Sequence, residues 1–221
     1  AGVGKSAVIE GLAERMAADD VPEVLKDKRL VRLSVARLTS GVPPAVAQER
    51  LLAALHEVVR SRNIVLVVDA IEQLIGATSG SIDLGDILAT ELQRGGSFLI
   101  GATTPEAYRQ HLERTTLGGY LERIPVEEPS GDDAIQIIEA QSIFVEGKQR
   151  VFFSYGALEA CVRLSSRYLH DRYLPEKAIT LMGEVATMVR TTRGEGKIVV
   201  AEDVAKIIEE ETGLSPMKIF G

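Results

Sequence analysis

The sequence is poor in the residues that build disulfides, metal clusters and membrane spans. Its single cysteine, Cys161, excludes an intrachain disulfide framework and a multi-cysteine zinc site. Its three histidines are far apart in the chain and have no metal-ligand spacing. No apolar run approaches the roughly 20 residues that a membrane-spanning helix needs, and no signal peptide opens the chain. We therefore expect a cytoplasmic protein without a membrane partner.

Basic charge is also scarce. The chain has 25 lysines and arginines against 32 aspartates and glutamates, so its formal net charge is −7. An acidic protein is poorly suited to bind phosphate backbones, which argues against nucleic acid as a partner. Apolar residues make up 45% of the 221 residues, enough to build a sizeable core. This length fits one large domain, or one domain with a small satellite.

Strand and helix patterns alternate in the first half of the chain. The run at 64–68 is continuous and apolar and stops at Asp69, which is typical of a buried strand in a parallel sheet. Shorter runs predict further strands at 30–35, 98–100 and 124–126. After residue 130 helical spacing dominates, at 134–143, 157–164, 176–189 and 202–208. We predict an α/β domain over 1–130, a smaller all-helical domain over 131–213 and the start of a linker over 214–221.

A glycine-rich segment opens the chain, where Gly2, Gly4, Lys5 and Ser6 lead directly into a helical pattern. In a P-loop, glycines let backbone N–H groups turn toward phosphates, the lysine reaches the β- and γ-phosphates, and the hydroxyl holds Mg²⁺. A glycine-rich turn with an ordinary lysine has the same appearance. Asp69 adds a carboxylate where a P-loop protein supports Mg²⁺, although such an aspartate can also simply start a turn. Together, in this order, the two features predict a P-loop NTPase.

Several further segments occur in an order that resembles one family. Residues 100–104 read IGATT, residues 128–130 read EPS, and residues 171–179 read DRYLPEKAI. With the opening segment AGVGKSA they are similar to a Clp-type AAA+ unfoldase, specifically to its first ATPase module. The similarity extends over the whole chain.

This resemblance implies a P-loop AAA+ fold, in which a three-layer αβα domain carries a smaller all-helical lid. It also implies a ring, in this family a hexamer, that binds ATP or ADP with Mg²⁺ and acts on polypeptide clients, with an adaptor or a protease as further partners. Motif matching assigns the site residues as follows: Gly2, Val3, Gly4, Lys5, Ser6 and Ala7 around the phosphates, Ser6 and Asp69 at Mg²⁺, Thr104 as the sensor of the γ-phosphate, and Ile137, Pro175 and Lys177 in the lid beside the nucleotide.

The chain departs from the family at the residues that carry the hydrolytic chemistry. Such modules have a glutamate directly after the strand-terminal aspartate, where it activates the attacking water, and here that position is Ala70. The arginines that stabilise the transition state in a neighbouring subunit's site are missing from 117–121. Glu72 and Arg123 are the nearest substitutes for base and finger. A solvated glutamate and a surface arginine are the simpler interpretations.

A third departure concerns the loops that grip a client polypeptide. The matching first pore loop, at 40–45, contains two prolines and no aromatic residue, and proline stiffens a loop that should move. Residues 80–86 keep the appearance of the second pore loop. The three departures fall on three separate parts of the machinery.

We predict a module that binds ATP or ADP with weak or absent hydrolysis and has a structural or regulatory role in ring assembly. Whether it is an enzyme stays open at this point. The alternative is an active ATP-hydrolysing unfoldase module in which Glu72 and Arg123 restore the chemistry. A scaffold without nucleotide and a clamp-loader-like protein on DNA are weaker alternatives, because the Lys5 loop is intact and the net charge is acidic.

Overall fold

A computed structural model describes residues 2–76, 83–95 and 98–213. Two compact units divide it: Ser6–Ile124 forms the first, and the described parts of residues 1–5 and 125–221 form the second. This division lies near residue 124 and groups the glycine-rich start with the second unit, whereas the domain limits predicted above, 1–130, 131–213 and 214–221, stay predictions. The predicted linker at 214–221 and residues 80–82 of the predicted second pore loop at 80–86 lie outside the described residues.

A three-stranded parallel sheet forms the centre of the first unit. Its strands are β1 (Arg29–Leu33), β2 (Ile64–Asp69) and β3 (Phe98–Ala102), in the order β1-β2-β3. The middle strand is buried from Ile64 to Val68, as its continuous apolar run predicts. In register, Arg32 lies opposite Val67, and Asp69 lies opposite Ala102.

Helices cover both faces of this sheet. Ile9 and Ala13 of α1 (Lys5–Ala17) line a cavity of about 150 Å³ together with Leu30, Arg32 and Val67 on one face. Leu66 and Val68 face the other way, into a core shared with α3 (Pro44–Ser61) and α4 (Leu84–Gln93). Successive strand residues point to opposite faces, so each face has its own helix layer. The predicted three-layer αβα arrangement is confirmed.

Short helical elements connect these layers. They are a 3-10 turn at Glu23–Leu25, α2 (Val35–Thr39), a 3-10 turn at Ile71–Leu74, α5 (Pro105–Ala107), a π-turn at Tyr108–Leu112 and α6 (Thr116–Gly119). The strand predicted at 30–35 is therefore shorter than expected, because Ser34 caps α2 by accepting a hydrogen bond from the Arg37 N–H.

The strand predicted at 124–126 is wrong. These residues have no regular secondary structure, and Ile124 is 83% exposed. Within the described chain, β3 pairs with β2, and no strand pairs with 124–126. An isolated three-residue run cannot form a strand without a partner, because its backbone groups are satisfied only in a sheet or by water.

The second unit is a helical bundle with a small two-stranded sheet. Its helices are α7 (Gly131–Gln149), α8 (Tyr155–Tyr168), α9 (Glu176–Arg193) and α10 (Ala201–Thr212). The pair β4 (Phe152–Phe153) and β5 (Ile198–Val199) is parallel. One core joins all four helices, with Ile138, Leu181 and Ile208 almost completely buried. The four predicted helices are confirmed, and α9 extends four residues beyond its predicted end at 189, to Arg193.

Across the described residues, no helix is long and apolar enough to cross a membrane.

Candidate nucleotide-binding site

The glycine-rich start has the backbone conformation that a phosphate-binding loop needs. Gly2 and Gly4 have φ angles of +93° and +97°, a region that side chains rarely tolerate. Helix α1 begins immediately afterwards, at Lys5. The first N–H groups of a helix have no partner inside it and carry the positive end of its dipole, so they are suited to an anion. No acidic side chain lies in the first turn of α1 to occupy that place.

The predicted phosphate contacts differ in exposure. Val3, Gly4 and Lys5 are half-buried, whereas Ser6 and Ala7 are exposed in the first turn of α1. Their position at the helix start follows from the local sequence, because two positive φ angles at glycine turn the chain directly into the helix. The roles of these residues toward phosphate stay predictions.

Gly2 is held by the start of α9 within the second unit. Its carbonyl oxygen accepts a hydrogen bond of 3.4 Å from the Glu176 N–H. A Cβ at Gly2 would clash with the Glu176 carboxylate and lie 3.0 Å from the Glu176 Cβ. Glycine is therefore required both by the φ angle and by the close approach of Glu176. No sequence pattern predicts this contact, because it joins positions far apart in the chain.

Asp69 lies at the carboxyl end of β2, where the sequence predicts it. Its carboxylate forms an ion pair with an arginine from the neighbouring strand. Arg32 Nε lies 3.3 Å from Asp69 Oδ2, and the two side chains are 49% and 40% exposed. Both residues point to the face that carries α1, because Arg32 lies opposite Val67, two residues before Asp69. Sequence reasoning missed this pair, although Arg32 interrupts an otherwise apolar strand.

The backbone turns sharply directly after Asp69. Ala70 has a left-handed conformation, with φ 52° and ψ 51°, and the 3-10 turn at Ile71–Leu74 follows. This conformation is unfavourable for alanine by about 1–2 kcal/mol. The methyl group of Ala70 can neither accept a proton nor orient water. The predicted loss of a general base at this position stays a prediction.

Glu72 is half-buried in the turn that follows. Its Oε2 is buried and has no hydrogen-bond partner among the described residues. A buried carboxylate oxygen without a partner is unfavourable, and native proteins keep few of them. Glu72 is thus the first carboxylate after Ala70, but it starts two residues further along the turn, and its predicted role as a substitute base stays a prediction.

Thr104 lies at the same edge of the sheet as Asp69. Asp69 is opposite Ala102 in register, and Thr104 follows two residues after Ala102. The carboxyl ends of parallel strands are where ligands bind in open α/β sheets. The Thr104 hydroxyl accepts a 3.1 Å hydrogen bond from the Ala107 N–H and so caps α5. The proposed sensor therefore also has a structural partner.

Arg123 lies over an aromatic ring of its own unit. Its guanidinium carbon is 5.1 Å from the centre of the Tyr108 ring, a cation–π contact. The residue is exposed and belongs to the irregular segment that includes Ile124. Its predicted role as a displaced arginine finger is not tested by this contact and stays a prediction.

The predicted lid residues have different surroundings. Ile137 is 37% exposed on α7, whereas Pro175 is buried. The Lys177 side chain is 7% exposed, and its ammonium lies 3.3 Å from the Leu169 carbonyl oxygen and 3.8 Å from the Glu128 carboxylate. Their predicted place beside the nucleotide stays a prediction.

Glu128 connects the sequence motifs of the second unit. Its Oε1 accepts a 2.6 Å hydrogen bond from the Leu174 N–H and also faces Lys177. A buried ammonium needs a charged or hydrogen-bonding partner, and Glu128 supplies the charge. The EPS segment at 128–130 and the segment at 171–179 are therefore in direct contact. The sequence indicated each motif but not their contact.

The side chains present fit the phosphates of a nucleotide better than they fit Mg²⁺. The glycine loop and the start of α1 offer backbone donors, Lys5 and a hydroxyl. Toward Mg²⁺, the Ser6 hydroxyl is exposed and available, but Asp69 is already paired with Arg32. Elsewhere in the described chain, no group of three or more histidine, cysteine, aspartate or glutamate side chains gathers as a metal site.

Comparison with known proteins identifies the family. Residues 130–215 match the model of the AAA lid domain. Over 193 residues the chain is 39% identical to the negative regulator of genetic competence ClpC/MecB of Bacillus subtilis, and 39% identical to the ATP-dependent Clp protease ATP-binding subunit ClpC of Staphylococcus epidermidis. The chain belongs to the Clp-type AAA+ family. The aligned region is 86% of this Clp-type chain and 24% of each of these relatives, so the chain spans about a quarter of their length.

Solved structures agree with this assignment. The Clp-type chain is similar to the S. cerevisiae Hsp104–ADP complex, with a TM-score of 0.90 and 32% identity over 100% of this chain and 38% of that one. A closed state of Hsp104 with ATPγS and FITC casein gives a TM-score of 0.85 and 32% identity, over 96% and 37% of the two chains. The AAA+ fold predicted from the motifs, with its helical lid, is thereby confirmed.

Proposed function

We propose that this chain is the nucleotide-binding module of a Clp-like ring protein, which holds ATP or ADP and hydrolyses ATP weakly or not at all. The observation that carries the proposal is the pairing of the Gly4-Lys5-Ser6 segment of a phosphate loop with an alanine at the position predicted for the base. Gly2 and Gly4 have the positive φ angles of the loop, and α1 begins at Lys5. Ala70 follows Asp69 without a carboxylate.

Binding is assigned to groups of this chain. The Lys5 ammonium and the first N–H groups of α1 bind phosphate oxygens, and the exposed Ser6 hydroxyl lies at the start of the same helix. When bound, Mg²⁺ would add positive charge at the phosphates, with Ser6 and Asp69 as its nearest predicted ligands. Thr104 supplies a polar group at the same sheet edge as Asp69. The Hsp104 relatives were solved with ADP and with ATPγS, which supports nucleotide as the ligand.

Hydrolysis is proposed to be slow because two groups are missing. Loss of a general base lowers the rate by about 10²–10⁴-fold, and loss of an arginine finger by about 10³–10⁵-fold. Arg123 contacts the Tyr108 ring, and Glu72 starts from a turn that Ala70 directs away from the strand. A module of this kind contributes to a ring by holding nucleotide, in a structural or regulatory role.

The proposed partners are copies of the same chain, assembled into a ring that we expect to be a hexamer. Polypeptide clients and an adaptor or a protease are the other proposed partners. The names of the relatives support them, since two are a Clp protease ATP-binding subunit and an Hsp104 reconstruction that contains casein. The whole protein's activity rests on more chain than is described here, because the matched region is a quarter of the relatives' length.

A second candidate function is an active ATPase that drives unfolding. The unpartnered, buried Oε2 of Glu72 favours it, because such an oxygen could accept a proton from water when a substrate is present. In that case Glu72 would replace the base that is missing at position 70, and turnover would depend on Glu72.

One experiment separates the two functions. We would measure ATP binding by calorimetry and phosphate release on the full-length protein, its Lys5→Ala variant and its Glu72→Gln variant. We expect binding that depends on Lys5 and phosphate release near the background. Rapid release that is lost in both variants would establish the active ATPase. Absence of any Lys5-dependent binding would contradict both candidate functions. A structural scaffold that does not bind nucleotide would then be the remaining interpretation.

A further inference from the structure

The ion pair between Arg32 and Asp69 places a positive charge at the carboxylate that is predicted to support Mg²⁺. Arg32 Nε lies 3.3 Å from Asp69 Oδ2. Both side chains are about half exposed, so a ligand can reach them. An exposed pair of this kind contributes little to folding stability. Its consequence is therefore local: it changes which charges a ligand meets at this edge of the sheet.

The strand register puts Arg32 in this position. Arg32 lies opposite Val67 on the neighbouring strand, and Asp69 follows on the same face two residues later. Arg32 also lines the cavity that Ile9 and Leu30 line, so it lies on the face of the sheet that carries α1.

We propose that Arg32 supplies at Asp69 the positive charge that Mg²⁺ would otherwise supply, so that this module binds nucleotide with little dependence on Mg²⁺. The inference rests on the proposed nucleotide-binding function and concerns the same site. It makes Arg32 a specificity-determining residue, which lets the module bind metal-free nucleotide about as well as metal-bound nucleotide.

Two physical effects lead to this expectation. The Arg32 guanidinium, 3.3 Å from the Asp69 carboxylate, repels a divalent cation that approaches this carboxylate. The cation must therefore displace the guanidinium or bind more weakly. The guanidinium also has five N–H donors in a planar fork, and its Nε lies 3.3 Å from Asp69 Oδ2. The remaining donors match the geometry of phosphate oxygens.

The test compares nucleotide affinity with and without the metal. A fluorescent ADP analogue would be titrated into the full-length protein in buffer that contains either Mg²⁺ or EDTA. Because the full-length protein can have other nucleotide sites, only the signal that is lost in a Lys5→Ala variant is assigned to this module. We expect the dissociation constants in the two buffers to differ by less than about threefold.

The decisive variant is Arg32→Gln, which removes the charge and keeps much of the length. Its affinity in EDTA should fall, and its Mg²⁺ dependence should rise to about tenfold or more, because Asp69 becomes free to support the metal. The matched control is Arg29→Gln, which removes the same charge from an exposed position on β1 at the other face of the strand. The control should behave as the unmodified protein does, and thermal unfolding confirms that both variants are folded.

Each alternative result has a distinct meaning. A strong Mg²⁺ dependence in the unmodified protein would overturn the inference and leave the proposed function intact. A weak dependence that persists in Arg32→Gln would also overturn it, since Arg32 would not be the cause. If no Lys5-dependent binding occurs in either buffer, the proposed function itself fails, and the inference fails with it.

Discussion

At the scale of single residues, the predicted site residues differ in what they retain. Gly2 and Gly4 have the positive φ angles that a phosphate loop needs, whereas Ala70 has a left-handed conformation and a methyl side chain. Arg32 is paired with Asp69 at the end of β2. These features favour binding without turnover, because binding needs the loop and hydrolysis needs a base as well.

Gly2 gives a residue-scale prediction. We expect Gly2→Ala to weaken Lys5-dependent nucleotide binding by about tenfold, because the φ of +93° and the clash with Glu176 add roughly 1–3 kcal/mol of strain to the loop. The measurement is a calorimetric titration with ADP. The matched control is Gly11→Ala in α1, where an added Cβ meets nothing within 4 Å and α-helical propensity favours alanine by about 1 kcal/mol. Equal affinity in the two variants would contradict the assigned loop geometry.

At the scale of elements, neighbouring helices of the second unit bring like charges together. Glu184 on α9 faces Glu211 on α10, with Arg172 nearby. Partial burial, followed by the charge of Glu211 and a hydrogen bond with it, raises the pKa of Glu184, whereas Arg172 acts in the opposite direction. A carboxyl group whose pKa is raised on folding binds its proton more tightly in the folded state. This tighter proton binding therefore raises the free energy of unfolding at low pH, and the gain is lost as the pH rises through the pKa of the folded state.

Glu184→Gln tests this arrangement. The variant should raise the Tm at pH 7 by about 1–2 °C, a small value because the site is largely exposed and screened by solvent. At pH 4 the difference should shrink, since Glu184 is then mostly protonated in the unmodified protein too. Scanning calorimetry at the two pH values is the measurement. A gain in Tm that is equal at both pH values would point to a change in packing and not in charge.

At the scale of the whole molecule, two separate cores support the chain. The first packs the sheet with α3 and α4, and the second joins α7, α8, α9 and α10. Each core consists of completely buried aliphatic side chains, such as Leu51 in the first unit and Leu181 in the second. A domain with its own core has its own stability.

Separate cores predict local destabilisation. Leu181→Ala should cost about 2–5 kcal/mol of the free energy of unfolding of the second unit, because a cavity replaces a side chain that is 1% exposed. Amide hydrogen exchange, read by mass spectrometry, should increase in α7–α10 and stay unchanged in β1–β3. Leu51→Ala is the matched variant for the first unit, with the reverse pattern expected. Increased exchange throughout the described chain in either variant would mean that the two cores unfold as one.

Local patterns in the sequence were enough to predict much of this molecule. The buried run before Asp69, the helical spacing of α7 to α10 and the glycine-rich start depend on residues close together in the chain, and the structure has the expected strand, helices and positive φ angles. The family could be predicted as well, because its motifs are short and contiguous.

Only the tertiary structure decided the contacts between distant residues. The pairing of Arg32 with Asp69 depends on the register of β1 against β2, the contact of Gly2 with Glu176 depends on where α9 begins, and the run at 124–126 is not a strand because nothing in the described chain pairs with it. Propensity and spacing act within a segment, whereas these contacts are set by how the segments pack. The sequence alone determined the family and the glycine-rich turn into α1, and packing decided that Arg32 meets Asp69 at the end of β2.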